Sequence, residues 1–532
     1  MANLTGTAGN DALRGLATEA DVINGGAGDD YLYGGGTNDS DDFADVLNGG
    51  DGFDRLYGGI GDHFDGGANG AQGDYAYVNL TKLNVSVILD LNASGVQPIA
   101  GGGDIVNVEQ IEIWSGSASD RIKGGAADDL IHGGAGHDAL YGGASGDHIY
   151  GEDGNDVIRG EAGSDTLRGD GGHDRLIGGD GNDTLTGDQD LAAVTDGADQ
   201  LNGGAGNDIL YGNGGADILI GGAGDDEMYG GTGADRFAFS GAGQGKDLVH
   251  DFSAAEGDRF DLDDKAFTAV ASDGAGGTLL TWDGGTIRVE KVAGLSLADW
   301  NGLIVKGANT LVRLTDAFDN ILRYSPASDA DRAYVQGLTD KVASGQITEA
   351  AAVQTIVQLA DASTAVATTS YAFFTGHTPG ENGMDYLLSP IGPNPNNLNS
   401  AYYQSFNTEN RYINFAVNLG RDGEGHAAFE AAYGGKTLFE ATRAAYTVIF
   451  GSAPDDAKIH ALIDTRTDYF YAYGKTDLGA KAAMAGWLLA EAMKADVGMY
   501  ANSSNAYLTD MADGVPFAVD LIGAYGRPEY HL

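Results

Sequence analysis

Thirteen aspartates share one register in this sequence. Asp120, Asp129, Asp138, Asp147, Asp156, Asp165, Asp174 and Asp183 fall nine residues apart, and after a seven-residue insertion the count resumes at Asp199, Asp208, Asp217, Asp226 and Asp235. Carboxylates at a fixed spacing can share a cation, pair as acid and base, or solvate turns, and the residues around them decide which. Two places after each aspartate stands an apolar side chain, from Ile122, Ile131, Leu140, Ile149, Ile158, Leu167, Leu176 and Leu185 to Leu201, Leu210, Leu219, Met228 and Phe237. Ahead of it runs a glycine-rich word, as in GGDGNDTLT at 178–186, where Gly178, Gly179 and Gly181 permit a tight or left-handed backbone. Each word predicts a turn and a very short strand whose central apolar residue points inward. Two words make a coil, and stacked coils build a continuous apolar core while lining up the carboxylates. Such a column repels itself until a cation joins it. Calcium suits such a column, because it accepts about six to eight oxygens in irregular geometry, so aspartate side chains and turn carbonyls together can enclose it.

Less regular copies precede the array: GTAGNDALR with Asp11, GGAGDDYLY with Asp30 and GGDGFDRLY with Asp54. In GGIGDHFDG, His63 takes the aspartate's place, which predicts an incomplete cage there, and Asp21 and Asp45 lie at displaced spacings that suggest insertions. Residues 74–113 lack the glycine word and alternate β-branched residues in NVSVILDL and DIVNVEQIEIW, which predicts longer strands continuing the stack. The pattern G-G-x-G-x-D-x-U-x resembles the calcium-binding nonapeptide repeat of RTX proteins. The metal ligands expected are the thirteen aspartates together with Asp11, Asp30 and Asp54. They would hold an array of roughly ten calcium ions, and the chain would be largely unfolded without them.

After Phe237 the period stops. The stretches GADRFAFSGAGQGKDLVHDF and GGTLLTWDGGTIRVEKV read as hairpin strands that close an otherwise open solenoid end. This segment resembles the one that follows the repeats in serralysin-type secreted proteases, through Gly233, Ala234, Asp235, Phe237, Phe239, Asp247, Val249, Asp251 and Phe252. The likeness concerns the cap and not proteolysis. The architecture expected is multidomain: a parallel β-roll, the RTX solenoid, over residues 1–238 with an irregular strand-rich insert at about 66–115, a small β-rich cap over 239–309, and an all-α domain over 310–532.

Composition narrows the function. The 532 residues include 87 Gly, and 29 Lys+Arg stand against 78 Asp+Glu, a formal net charge of -49. A polyanion of this strength repels nucleic acid phosphates and anionic lipid headgroups. A hydrophobic share of 42%, spread through the repeats, argues against an acidic disordered tail. With no cysteine there is no disulfide, thiolate catalysis or Cys-ligated zinc. No apolar run reaches the roughly 18 residues of a membrane span. The opening MANLTGTAGNDALRG has neither the basic start nor the apolar stretch of a signal peptide, so export is expected by another route.

From about residue 310 glycine thins and helical spacing takes over. Ala351, Ile356, Leu359 and Val366 follow it, as do Tyr403, Phe406, Tyr412, Ile413, Phe415 and Leu419. Further helices are expected near 331–343, 426–450, 455–472 and 477–500, with starts at Ser328 and Ser452, for six or so in all. The segments Tyr371 to Gly376, Gly383 to Leu387, Leu398 to Tyr403, Phe406, Glu409 to Phe415 and Asn418 to Leu419 resemble the lipopolysaccharide-anchoring domain of caulobacterial surface-layer proteins. In that family the domain opens the chain, whereas here it follows the repeats. Aromatic faces with interleaved amides and a guanidinium suit a glycan, which makes Tyr402, Tyr403, Asn410 and Arg411 candidate sugar contacts, although aromatic stripes more often form helix core.

Catalytic motifs are absent: there is no H-E-x-x-H and no G-x-S-x-G in strand-to-helix context, and His377 and His426 have no evident nucleophile beside them. The leading expectation is a non-enzymatic, calcium-dependent structural protein of the cell surface or extracellular matrix, self-associating like a surface layer or biofilm matrix component and anchored to lipopolysaccharide O-antigen. An RTX adhesin and an RTX hydrolase are the alternatives. The resemblance implies type I secretion to the exterior or the outer-membrane surface, with an uncleaved signal near the C-terminus, within VPFAVDLIGAYGRPEYHL.

Overall fold

A computed structural model describes residues 2–35, 43–69, 73–92, 95–189, 197–240, 243–263, 265–322, 329–360, 363–376, 397–400 and 405–495, together with Met384, Leu387, Leu388, Tyr403 and Leu508. The chain divides into two compact units, Met1–Thr310 and Leu311–Leu532.

In the first unit the nine-residue words alternate between two facing sheets. Leu130–Gly136 pairs in parallel with His148–Gly154, and Ala139–Ala144 pairs with Val157–Ala162. One coil therefore takes two words. The inward residues stack in register: Ile131, Ile149, Leu167, Leu185, Leu210 and Met228 on one side, and Ile122, Leu140, Ile158, Leu176, Leu201 and Leu219 on the other. All of them are buried. Among the described residues the strands form sheets of fifteen, ten and six members. The fifteen-stranded sheet runs without a break from Ala12–Arg14 to the terminal hairpin, while its partner changes from the six-stranded to the ten-stranded sheet, whose edge strand is Ile88–Asp90. Residues 74–113 continue the stack, but in strands of two to five residues such as Tyr75–Asn79 and Gln110–Trp114. On the outer face of the long sheet, Trp114, His132 and Tyr150 stack at 3.5 and 4.7 Å, and Tyr211, Tyr229 and His250 at 4.8 and 4.0 Å.

The far end is closed by antiparallel strands. Gly285–Val289 pairs with Lys246–Val249 of the roll and carries Thr278–Trp282 and Ala269–Ser272 beside it. The short helix Leu297–Asn301, begun by a Ser296/Asp299 capping box, buries Trp300 against Phe252 and Phe260. Asp251 finishes the last turn: its carboxylate accepts the backbone N–H groups of Gly230 and Gly231 at 2.9 Å, where a further coil would supply carbonyls.

The second unit is all helical among its described residues, with more elements than the periodicity suggests. Residues 426–450 form His426–Gly434 and Leu438–Phe450, divided at Gly435 and restarted by a Thr437/Glu440 capping box. The 455–472 stretch splits into Asp456–Ile463 and Thr467–Gly474, and its N-cap is Asp455 rather than Ser452. Ser328 lies outside the described residues. Asp477–Lys494 is the buried centre, and its Gly486 admits the main chain of Tyr412 and Ile413. Lys481, 1% exposed, donates from Nζ to the Gly434 carbonyl at 3.0 Å and pairs with Asp477 at 2.6 Å.

Candidate metal centre

Each glycine of the word has its own part to play. A Cβ on Gly178 would lie 2.3 Å from Asp183 Oδ2 and 2.4 Å from the Gly203 carbonyl, so the first glycine is needed for close approach. The second and fourth need left-handed backbone, with φ of +118° at Gly179 and +140° at Gly181. Glu152, Glu161, Asp170 and Asn213 take the second place at φ between +71° and +75°.

The aspartate ties coils together. Its Oδ1 accepts the N–H of the aspartate one coil earlier, as in Asp138 to Asp156, Asp147 to Asp165 and Asp156 to Asp174, each at 2.8 Å. Its second oxygen turns into the bend. For Asp30, Asp54, Asp138, Asp147, Asp156, Asp165, Asp174, Asp183, Asp199, Asp208, Asp226 and Asp235 that Oδ2 is buried and meets no hydrogen-bond donor. Native proteins rarely bury such an atom unmatched, and a carboxylate least of all. Burial pushes the carboxyls of Asp138 and Asp208 up to about 7 and that of Asp147 to about 8. Asp156 and Asp199 are also held well above the usual carboxylate range, by burial first and then by the neighbouring aspartates of their column.

These oxygens fit a hard cation. Asp183 Oδ2 and the Gly203 carbonyl converge over Gly178, and Asp208 Oδ2 and the Gly221 carbonyl converge over Gly203. No group of three or more His, Cys, Asp or Glu side chains suited to a metal occurs among the described residues, so a cation here must draw on main-chain carbonyls. Oxygen-only donors with few side chains match calcium.

Several expected residues sit differently. Asp11 is half-buried, and its Oδ2 takes the N–H and hydroxyl of Thr7 at 2.5 and 2.8 Å. Asp129 Oδ2 accepts the Gly125 N–H at 2.7 Å, and Asp120 Oδ2 accepts the Ser115 hydroxyl. Asp217 occupies its column and takes the Asp199 N–H at 2.8 Å. His63 does not replace an aspartate: Asp62 fills the slot, accepting the Asp45 N–H at 2.8 Å, and His63 begins the next strand, its ring on Asp104. Asp21 and Asp45 belong to the same column and not to insertions, since Asp21 N–H donates to Asp45 Oδ1 at 2.6 Å. Asp74 and Asp247, absent from the nine-residue count, also bury an Oδ2 without a donor. The signal that finds them is the triplet of aspartate, any residue and an apolar residue: Asp21 with Ile23, Asp45 with Leu47, Asp62 with Phe64, Asp74 with Ala76, Asp247 with Val249.

A second ladder lies one place earlier. His137 and His173, expected simply to face water, accept the Asn155 and Ala198 N–H groups on Nδ1 at 2.9 and 2.7 Å, and Asn182 and Asn207 continue the motif on the other side.

The candidate glycan set is placed in part. Tyr402 lies outside the described residues, as do His377 and the final eighteen residues proposed for the export signal. Tyr403 and Arg411 are 5% and 6% exposed. The Tyr403 hydroxyl accepts from Asn418 at 3.2 Å, and Arg411 donates to the Phe406 carbonyl at 3.0 Å. Asn410 accepts from the Tyr469 hydroxyl at 2.8 Å. Tyr403 and Arg411 are both core by burial, Arg411 on the inward face of helix Thr408–Val417.

Overlapping stretches covering 5–68 and 114–237 match the RTX calcium-binding nonapeptide repeat. The chain carries RTX calcium-binding repeats. Residues 363–532 match the RsaA N-terminal domain, of the S-layer protein of Caulobacter. Among solved structures, extracellular lipase LipA from Serratia marcescens is similar at 16% identity and a TM-score of 0.15, over 56% of this chain and 39% of the lipase. The chain thus spans well under half of that protein's length. No curated protein matches. The RTX repeats form the parallel β-roll, an all-helical region follows, and the two matches support a calcium-binding, secreted surface protein.

Proposed function

We propose that this RTX protein is a structural component of the cell surface or extracellular matrix, exported by the type I route, whose roll folds and self-associates on calcium and whose helical unit holds it to lipopolysaccharide O-antigen. The observation that carries the reading is the column of buried aspartate oxygens without donors. Asp30, Asp54, Asp138, Asp147, Asp156, Asp165, Asp174, Asp183, Asp199, Asp208, Asp217, Asp226 and Asp235 would hold the metal with turn carbonyls, and Asp74 and Asp247 join them. Calcium, when bound, supplies the charge that offsets the column. The chain's own residues do the rest: Oδ1 locks successive coils, the glycines let carbonyls approach, and the inward apolar residues fix the register. At low calcium the repulsion favours the extended state suited to export. Both matched families are structural, which supports a non-enzymatic role.

Electron microscopy and circular dichroism of the purified chain test this, with and without chelator. Calcium is expected to restore β signal and to produce sheets or filaments. A spectrum indifferent to confirmed calcium removal overturns the folding mechanism, and dispersed monomers in calcium overturn the assembly. Equal binding to lipopolysaccharide with and without O-antigen overturns the anchoring.

A further inference from the structure

The turns at 115–120 and 124–129 differ from those that follow. Ala118 and Ala127 stand where the later words place a glycine such as Gly136, Gly154 or Gly163, whose φ lies between +149° and +157°. Neither Gly116 nor Gly125 takes the left-handed conformation found at Gly134, Gly143 or Glu152. With ordinary backbone at the second place, its N–H points into the bend, and Gly125 donates to Asp129 Oδ2 at 2.7 Å while the Ser115 hydroxyl closes Asp120. The other oxygens take the N–H groups of Ile111 and Val87, both at 2.7 Å. Both carboxylates are thus fully engaged within the protein. Among the described residues, no buried carboxylate oxygen lacking a donor lies between Asp74 and Asp138. Two strands of this middle also bury two inward side chains each, Ala76 with Val78 and Ile111 with Ile113. The same closure recurs toward the outer ends, on Asp11 by Thr7, on Asp21 by the Leu16 N–H at 2.6 Å and on Asp258 by the Ser253 N–H at 2.6 Å, and at one turn inside the first array, on Asp62 by the Gly59 N–H at 2.7 Å.

We infer that the turns ending in Asp120 and Asp129 take no calcium, and that residues 75–129 form a metal-independent block separating two calcium arrays, Asp30 to Asp74 and Asp138 to Asp247. This rests on the proposed calcium binding of the flanking aspartates. A block whose buried polar atoms are satisfied among its described residues, with a continuous core, keeps its fold when metal is withdrawn, while each array melts from it. It also offers both arrays a formed edge on which to nucleate.

Two measurements on the full chain decide. Hydrogen exchange with and without chelator should show peptides in 138–240 speeding up by about tenfold or more on chelation, while those in 104–123 stay protected. Calcium content should be unchanged in Asp120→Asn and Asp129→Asn, whereas Asp156→Asn loses at least one ion. Exchange in 104–123 rising as fast as in 138–240, or a calcium loss in Asp129→Asn equal to that in Asp156→Asn, overturns the inference and leaves the functional reading intact. A wild-type chain that binds no calcium overturns the reading and the inference with it.

Discussion

The chemistry of the roll turns on which oxygen of each aspartate has a partner. Along the columns Oδ1 takes the aspartate N–H one coil earlier, so where Oδ2 meets no donor it carries the electrostatic cost of folding. Carboxyls raised to about 6 at Asp54 and Asp183, about 7 at Asp138 and about 8 at Asp247 fix the sign of the pH dependence. Without calcium the folded roll binds protons that the unfolded chain has already released, so its stability grows as pH falls from about 8 toward 4 and is lost as pH rises through those values. With calcium, protons compete for the same oxygens, and the calcium needed for folding rises on acidification. Dichroism of the chelated chain at about pH 5 and pH 8 checks the first half, where equal β signal contradicts it; a calcium titration at both values checks the second. The column itself is legible in the sequence as a spacing. Asp21, Asp45 and Asp62 escape that spacing because they stand 10, 15 and 8 residues after Asp11, Asp30 and Asp54, while the strand that follows each keeps its form. The identity of a tyrosine or arginine does not reveal which way it faces, which is why Tyr403 and Arg411 could be read as sugar contacts although such residues more often form core.

At the scale of elements, the strands were the legible part and the helix boundaries were not. A nine-residue period specifies turn, strand and inward residue at once. In the helical unit the apolar spacing runs straight across Gly434 and Gly435, and only the local Thr437/Glu440 cap marks the break. That break matters to packing, because it brings the Gly434 carbonyl to the end of Lys481. Lys481→Met keeps most of the volume but leaves the carbonyl unmatched, a cost of about 1–3 kcal/mol. The expected result is a lower melting temperature for the helical unit, read from near-ultraviolet dichroism around Trp487, and the same loss with and without calcium. A loss confined to calcium-free conditions would contradict this assignment.

For the whole molecule, the closing strands settle how the repeats can multiply. Lys246–Val249 continues the fifteen-stranded sheet after Glu227–Gly233, and Arg259–Asp261 continues the ten-stranded sheet after Arg236–Ala238. Removing residues 148–165, a full coil, leaves both junctions on their own faces; removing only 157–165 exchanges them. The first deletion is expected to give a calcium-responsive chain with fewer bound ions and the second one that fails to gain β signal in calcium, so equal folding of the two would contradict this scheme. Evolutionary growth of such a chain is accordingly restricted by parity: even numbers of words are neutral additions, and an odd one must be answered elsewhere in the gene.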